Sequence, residues 1–159
     1  MYERQWLKHI NGIGRDNQHK LRTYCLFKTK FEMEPYLQYK YQISNRRNYT
    51  KMRVSAHTLA VETGRYTQPK TPLHLRKCVF CNLDELEDEE HVVLRCPRYD
   101  TIRTELVSKL SCQNDNVCNL TDRDKFIFIM NAGNNIELCC PVLYFFNNIS
   151  EIRKQYMGI

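Results

Sequence analysis

Apolar residues recur at three- and four-residue steps along much of this chain, the spacing of helices with one buried face. Leu21, Tyr24, Cys25, Phe27 and Phe31 form such a stripe, decorated by Lys20, Arg22, Lys28 and Lys30. Asp16 and Asn17 stand where an N-cap is needed, and Pro35 predicts the end of that helix. Residues 1–15 have no clear period, and Gly12-Ile13-Gly14 reads as a flexible joint. Tyr36, Leu37, Tyr39 and Tyr41 make a short aromatic cluster. A second helix is predicted over residues 45–62, with Tyr49, Met52, Ala56, Leu59 and Ala60 on one face and Gly64 at its C-terminal stop. Arg46, Arg53 and His57 would flank that face, while Arg47 and Lys51 would point to solvent. Residues 65–72 read as a loop.

The second half repeats the helical period. A short helix is expected from His91 through Arg95, broken by Pro97, and another over 98–111 with Tyr99, Ile102, Leu106 and Leu110 inward. Thr121 with Asp124 is close to a capping box for a buried helix containing residues 126–130. Pro141 fits the first turn of a final helix with Val142, Phe145, Phe146, Ile149, Ile152 and Tyr156 on one face. The fold class that follows is all-α, a small domain of about five to seven helices. Five Gly and five Pro in 159 residues disfavour a turn-rich all-β fold. Three segments are distinguished: a basic helical region over 1–66, a metal-binding segment over 67–98 and a C-terminal helical region over 99–159, packed as one domain.

The chemistry concentrates in Cys78, Cys81, His91 and Cys96, spaced C-x2-C-x9-H-x4-C. A tight turn brings two cysteines two apart to one ion, and a histidine and cysteine from a following helix close a tetrahedron. Zinc accepts this mixture of sulfur and imidazole. Four protein ligands leave no open position, so one structural zinc is expected rather than a catalytic one. A redox dithiol and unliganded core thiols are the competing readings. Zinc deaminases are excluded, because their H-x-E precedes P-C-x-x-C and Glu90 here precedes His91. Cys112, Cys118, Cys139 and Cys140 have no histidine nearby and read as free thiols.

Charge divides at the first ligand. Residues 1–77 hold 16 Lys and Arg against 5 Asp and Glu, a net of +11; residues 78–159 hold 8 against 13, a net of −5. A half this basic points to a polyanion such as RNA or DNA, with Arg46, Arg47, Lys51, Arg53, Arg65, Lys70, Arg76 and Lys77 as candidate phosphate contacts. A solvated basic surface, or pairing of the basic lobe with the acidic one, would account for the same asymmetry. Tyr36, Tyr39 and Tyr41 either stack on unpaired bases or pack between helices. The acidic run Asp84, Glu85, Glu87, Asp88, Glu89 and Glu90 reads as a solvated loop entering a helix start. No apolar run approaches the roughly 18 residues of a membrane span, so no membrane partner is expected. Charges among the first ten residues predict an intracellular protein of nucleus or cytoplasm, not a secreted one. No Ser-His-Asp set, Gly-rich phosphate loop or open metal site is visible, so neither enzymatic activity nor a small-molecule substrate is expected.

Several strings resemble the C-terminal tail of endonuclease-reverse transcriptases from non-LTR retrotransposons. They are Lys20-Leu-Arg-Thr-Tyr-Cys-Leu-Phe-Lys28, Lys51-Met-Arg-Val-Ser-Ala-His57, Glu62-Thr-Gly-Arg-Tyr66, Glu87-Asp-Glu-Glu-His-Val-Val-Leu-Arg-Cys-Pro-Arg-Tyr99 and Asp124-Lys-Phe-Ile-Phe-Ile-Met130. The resemblance covers roughly residues 5–155, and Cys78, Cys81, His91 and Cys96 fall on its CCHC positions. It implies a zinc-binding accessory module that holds template RNA or target DNA beside a reverse transcriptase polypeptide. No Y/F-x-D-D string occurs, so the chain by itself should neither polymerise nor cut. A protein-docking module and a fragment of a decayed element are the alternative readings.

Overall fold

The computed structural model describes residues 2–11, 19–40, 43–112 and 116–158. Among them the regular elements are helical: α1 (Tyr2–Asn11), α2 (Ile43–Arg53), α3 (Ala60–Thr63), α4 (Asp100–Ser111), α5 (Asp122–Ala132) and α6 (Ile136–Met157), with short 3-10 turns and one π-turn between them. The only pairing of extended backbone among the described residues is one isolated antiparallel bridge, Lys77 to Leu86. The all-α expectation therefore holds.

α6 is the spine. Leu138, Val142, Leu143, Phe145, Phe146 and Ile149 recur along it and are buried. α2, α4 and α5 pack against it. Tyr49 of α2 lies 5.2 Å from the Phe146 ring and 4.8 Å from the Tyr36 ring, centroid to centroid. Gly133 permits this: a Cβ there would stand 2.5 Å from the Tyr49 ring. Helix ends follow local chemistry. Thr121 accepts from the Asp124 amide at 3.2 Å to start α5, and Asn135 accepts from the Glu137 amide at 2.8 Å to start α6. α6 thus begins five residues before Pro141, which lies inside the helix rather than in its first turn.

Other sequence expectations change. The stripe over 21–31 is not a helix but a series of turns with a 3-10 segment at Tyr24–Leu26. Two of its cations explain why. Arg22 and Lys28 are turned inward to buried carboxylates, which a helix with all its cations on the wet face would not allow. The helix predicted over 45–62 stops at Arg53; Ser55 has φ 52°, and the chain restarts as the single turn α3. Residues 2–11 form α1 despite their weak period, with Trp6 5.6 Å from Phe31, ring to ring. Gly12–Gly14, Asp16, Asn17 and Tyr41 lie outside the described residues.

Candidate metal centre

Residues 76–78 and 85–87 run antiparallel, with the Cys78 amide bonded to the Glu85 carbonyl and the Glu87 amide to the Arg76 carbonyl, each at 3.0 Å. The loop between them starts after Cys78, carries Cys81 and reverses at Asp84, φ 54°. The Asp88 side chain then accepts from the His91 amide at 2.8 Å and caps the π-turn His91–Arg95. The Cys96 amide bonds to the His91 carbonyl at 2.7 Å. That five-residue closure sets Cys96 over His91, which is the physical sense of the x4 spacing.

Together these turns bring the ligand atoms of Cys78, Cys81, His91 and Cys96 within 4.8 Å of one another, an arrangement that can hold a metal ion. Cys78 and Cys96 are separated by 3.8 Å between sulfurs, and Cys81 Sγ lies 3.4 Å from His91 Nε2. The opposite ring nitrogen, Nδ1, is 2.9 Å from Glu85 Oε2, which also accepts from Arg95 Nε at 2.8 Å. A carboxylate on Nδ1 places the proton there and turns the Nε2 lone pair to the sulfurs. The Cys96 carbonyl accepts from Arg103 at 2.7 Å. The hydrogen bond with Cys96, and then burial, push the Cys78 thiol up to about 12, while the same bond lowers Cys96. Burial opposes charge on His91, yet its hydrogen bonds to Cys78 and Glu85 push it up to about 9. A cation in the cluster would displace these protons, so metal uptake releases them to solvent.

The acidic run is not a solvated loop. Glu87 and Glu89 are each 2% exposed. Glu87 accepts from Arg153 of α6 at 2.6 Å and from the Ala60 amide at 2.7 Å. Glu89 receives Arg22 at 2.8 Å, Ser55 at 2.6 Å and His57 at 2.8 Å, and Arg22 also pairs with Glu62. The candidate metal segment is thus tied to the N-terminal turns, to the segment before α3 and to the end of α6, where the Phe80 and Tyr156 rings meet at 4.5 Å, tilted by 49°. Pairing of basic with acidic residues, one of the three accounts of the charge asymmetry, is realised in part inside the molecule. Sequence reasoning missed Glu85, Glu87, Glu89, Arg22 and Arg153; the available signal was a run of carboxylates beginning three residues after the second ligand.

The eight candidate phosphate contacts separate into groups. Arg53 is fully buried: it pairs with Glu34 at 2.9 Å, lies 4.3 Å over the Phe27 ring and donates to the Met130 carbonyl. Arg76 is also buried and donates to the carbonyls of Val61 and Thr71. Neither can meet a phosphate, because each guanidinium satisfies interior acceptors. Arg46 donates to the Leu37 carbonyl at 2.7 Å, Arg65 lies 3.3 Å from Glu62, and Lys77 lies 3.5 Å from Asp84. Arg47, Lys51 and Lys70 are exposed. Of the tyrosines, Tyr36 is buried with its hydroxyl 2.8 Å from Thr50 Oγ1, and Tyr39 donates to the Asn134 carbonyl at 2.7 Å; both pack between elements.

No family model, no curated protein and no solved structure matches this chain.

Proposed function

We propose that this chain is a zinc-stabilised nucleic-acid-binding module, an accessory of the kind that follows the reverse transcriptase in non-LTR retrotransposons, without polymerase or nuclease chemistry of its own. For zinc, the support is dimensional. A tetrahedron with Zn–S of about 2.3 Å and Zn–N of about 2.0–2.1 Å has an S–S edge of about 3.8 Å and an S–N edge of about 3.5 Å. The Cys78–Cys96 and Cys81–His91 separations are 3.8 and 3.4 Å. Three thiolates and one imidazole fill the four positions, so the ion would supply a cross-link and no site for a reacting water.

The observation that carries the nucleic-acid half is the fate of the charges. Glu87 and Glu89 face inward, while Arg47 and Lys51, one turn apart on α2, and Lys70 face solvent. A polyanion approaching the basic half meets Arg47, Lys51 and Lys70, which are exposed and carry no ion pair among the described residues. Binding of labelled RNA and DNA should therefore weaken as salt rises, with a log–log slope set by the number of phosphates neutralised. Replacing Arg47 and Lys51 with Ala should reduce that slope by about 1.4 on single strands or about 1.8 on duplex. An unchanged slope sinks the α2 assignment.

One observation favours a protein partner as a second reading. Leu75, Val79 and Leu83, around the metal loop, are 59%, 63% and 47% exposed. Zinc uptake with no salt-sensitive nucleic-acid binding, and pull-down of a polymerase polypeptide that Val79→Asp abolishes, would decide for docking.

A further inference from the structure

Residues 64–71 form a loop whose shape is set by its own hydrogen bonds. The Thr71 amide bonds to the Gly64 carbonyl at 3.1 Å and to Thr67 Oγ1 at 2.8 Å, and Thr67 Oγ1 lies 3.1 Å from the Gly64 carbonyl and 2.8 Å from Thr71 Oγ1. Buried Arg76 clamps the base of the loop, donating to Thr71 at 2.9 Å and to Val61 at 2.8 Å. Its stem lies so close to Gly64 that a Cβ there would stand 2.7 Å from it. The Arg76 carbonyl accepts from the Glu87 amide, so the loop is anchored on the metal segment.

On this loop Tyr66 is 70% exposed, with its backbone amide tied to the Thr63 carbonyl at 3.0 Å. The ring has no stacking or hydrogen-bonding partner among the described residues, unlike Tyr36, Tyr39, Tyr49 and Tyr99, which are buried or bonded. Arg65 precedes it, and exposed Lys70 follows within the same closed loop. A large ring held out on an ordered backbone loses little freedom on binding. With exposed Lys70 on the same loop it matches a ligand that joins a flat apolar face to a negative charge.

We propose that Tyr66 is a stacking platform for an unpaired base, with Lys70 taking an adjoining phosphate, so that the loop selects single-stranded over duplex nucleic acid. This rests on the nucleic-acid reading above and adds the strand state of the ligand. Stacking on an aromatic side chain tolerates any base and needs it unpaired, whereas Arg47 and Lys51 would serve either form.

The test is fluorescence anisotropy of the full chain, zinc content verified, on a labelled 20-mer single strand and on the matching duplex. Tyr66→Ala should weaken single-strand binding about 5- to 150-fold and duplex binding less than about twofold. Tyr66→Phe should restore it, and Lys70→Gln should lower the single-strand salt slope by about 0.7. Equal loss on both ligands, or loss on neither, overturns the platform. Binding confined to duplex also overturns it, while leaving the nucleic-acid reading in place. A wild-type protein that binds neither ligand, or binds poly-glutamate as tightly through Tyr66, overturns both.

Discussion

At the scale of single residues, Arg53 and Glu85 show how strongly context decides a side chain's role. Arg53 sits four residues after Tyr49 on α2, and a helical projection cannot tell whether its guanidinium bends outward or runs inward. It runs inward because Glu34, Phe27, Tyr36 and Tyr49 converge on it from separate parts of the chain, with ring distances of 4.3, 5.5 and 5.2 Å for the three aromatics. Removing one partner of a buried pair leaves the other charge without compensation, at a cost of about 3–5 kcal/mol. Arg53→Met should therefore lower the unfolding free energy by about that amount in urea titration, while Arg47→Met changes it by less than about 0.5 kcal/mol. Glu85 acts through His91. Glu85→Ala removes the carboxylate that orients Nδ1, and metal affinity should fall about 10- to 100-fold in competition with a chromogenic chelator, the range for such supporting groups.

At the scale of elements, the short turns between helices carry more of the design than the helices do. The π-turn His91–Arg95 exists because Asp88 caps it and because Val92 and Val93 are fully buried. Two residues before it, Glu89 meets Arg22, Ser55 and His57 at once. Burial raises the pKa of Glu89, but the hydrogen bond and charge of His57, with Arg22 and Ser55, pull it down to about 2 from an ordinary 4.5. A carboxyl whose folded pKa is depressed contributes stability above its unfolded pKa and loses it as pH falls towards the folded one. The stability difference between wild type and Glu89→Gln should thus be present at about pH 5 and shrink to nothing as pH falls from 4.5 to 2, followed by denaturant midpoint. A difference that persists at pH 2 would show that Glu89 acts by shape, not by charge.

At the scale of the whole molecule, the helical spine and the metal segment are joined by buried charges. Structural zinc contributes on the order of 10 kcal/mol of apparent binding energy. From spacing alone, losing the metal should loosen residues 76–98 and leave the outer helices intact. The pairs Arg153–Glu87 and Arg22–Glu89 change that expectation, because the carboxylates hang on the segment that a bound metal would organise. Chelation, or Cys78→Ser, should raise hydrogen exchange in 76–98 and also around Arg22, around Ser55 to Glu62 and at the end of α6 from Ile149. Exchange confined to 76–98 would mean that the ion pairs hold without the metal.

Much of this was legible in one dimension. The all-α class, the stretch of α6 around Phe145, Phe146 and Ile149, the Thr121 cap and the ligand set Cys78, Cys81, His91 and Cys96 follow from local rules: helical period, capping chemistry and the short reach of a chelate loop. The fate of the charges did not, because a lysine or arginine has the same pattern whether it faces water or a buried carboxylate. Only the tertiary structure placed Arg22 on Glu62 and Glu89, Arg53 on Glu34 and Arg153 on Glu87, partners 19 to 67 residues apart in the chain. Burial of a charge is decided by what meets it from elsewhere in the fold, since desolvation is offset only when an opposite charge arrives at hydrogen-bonding distance.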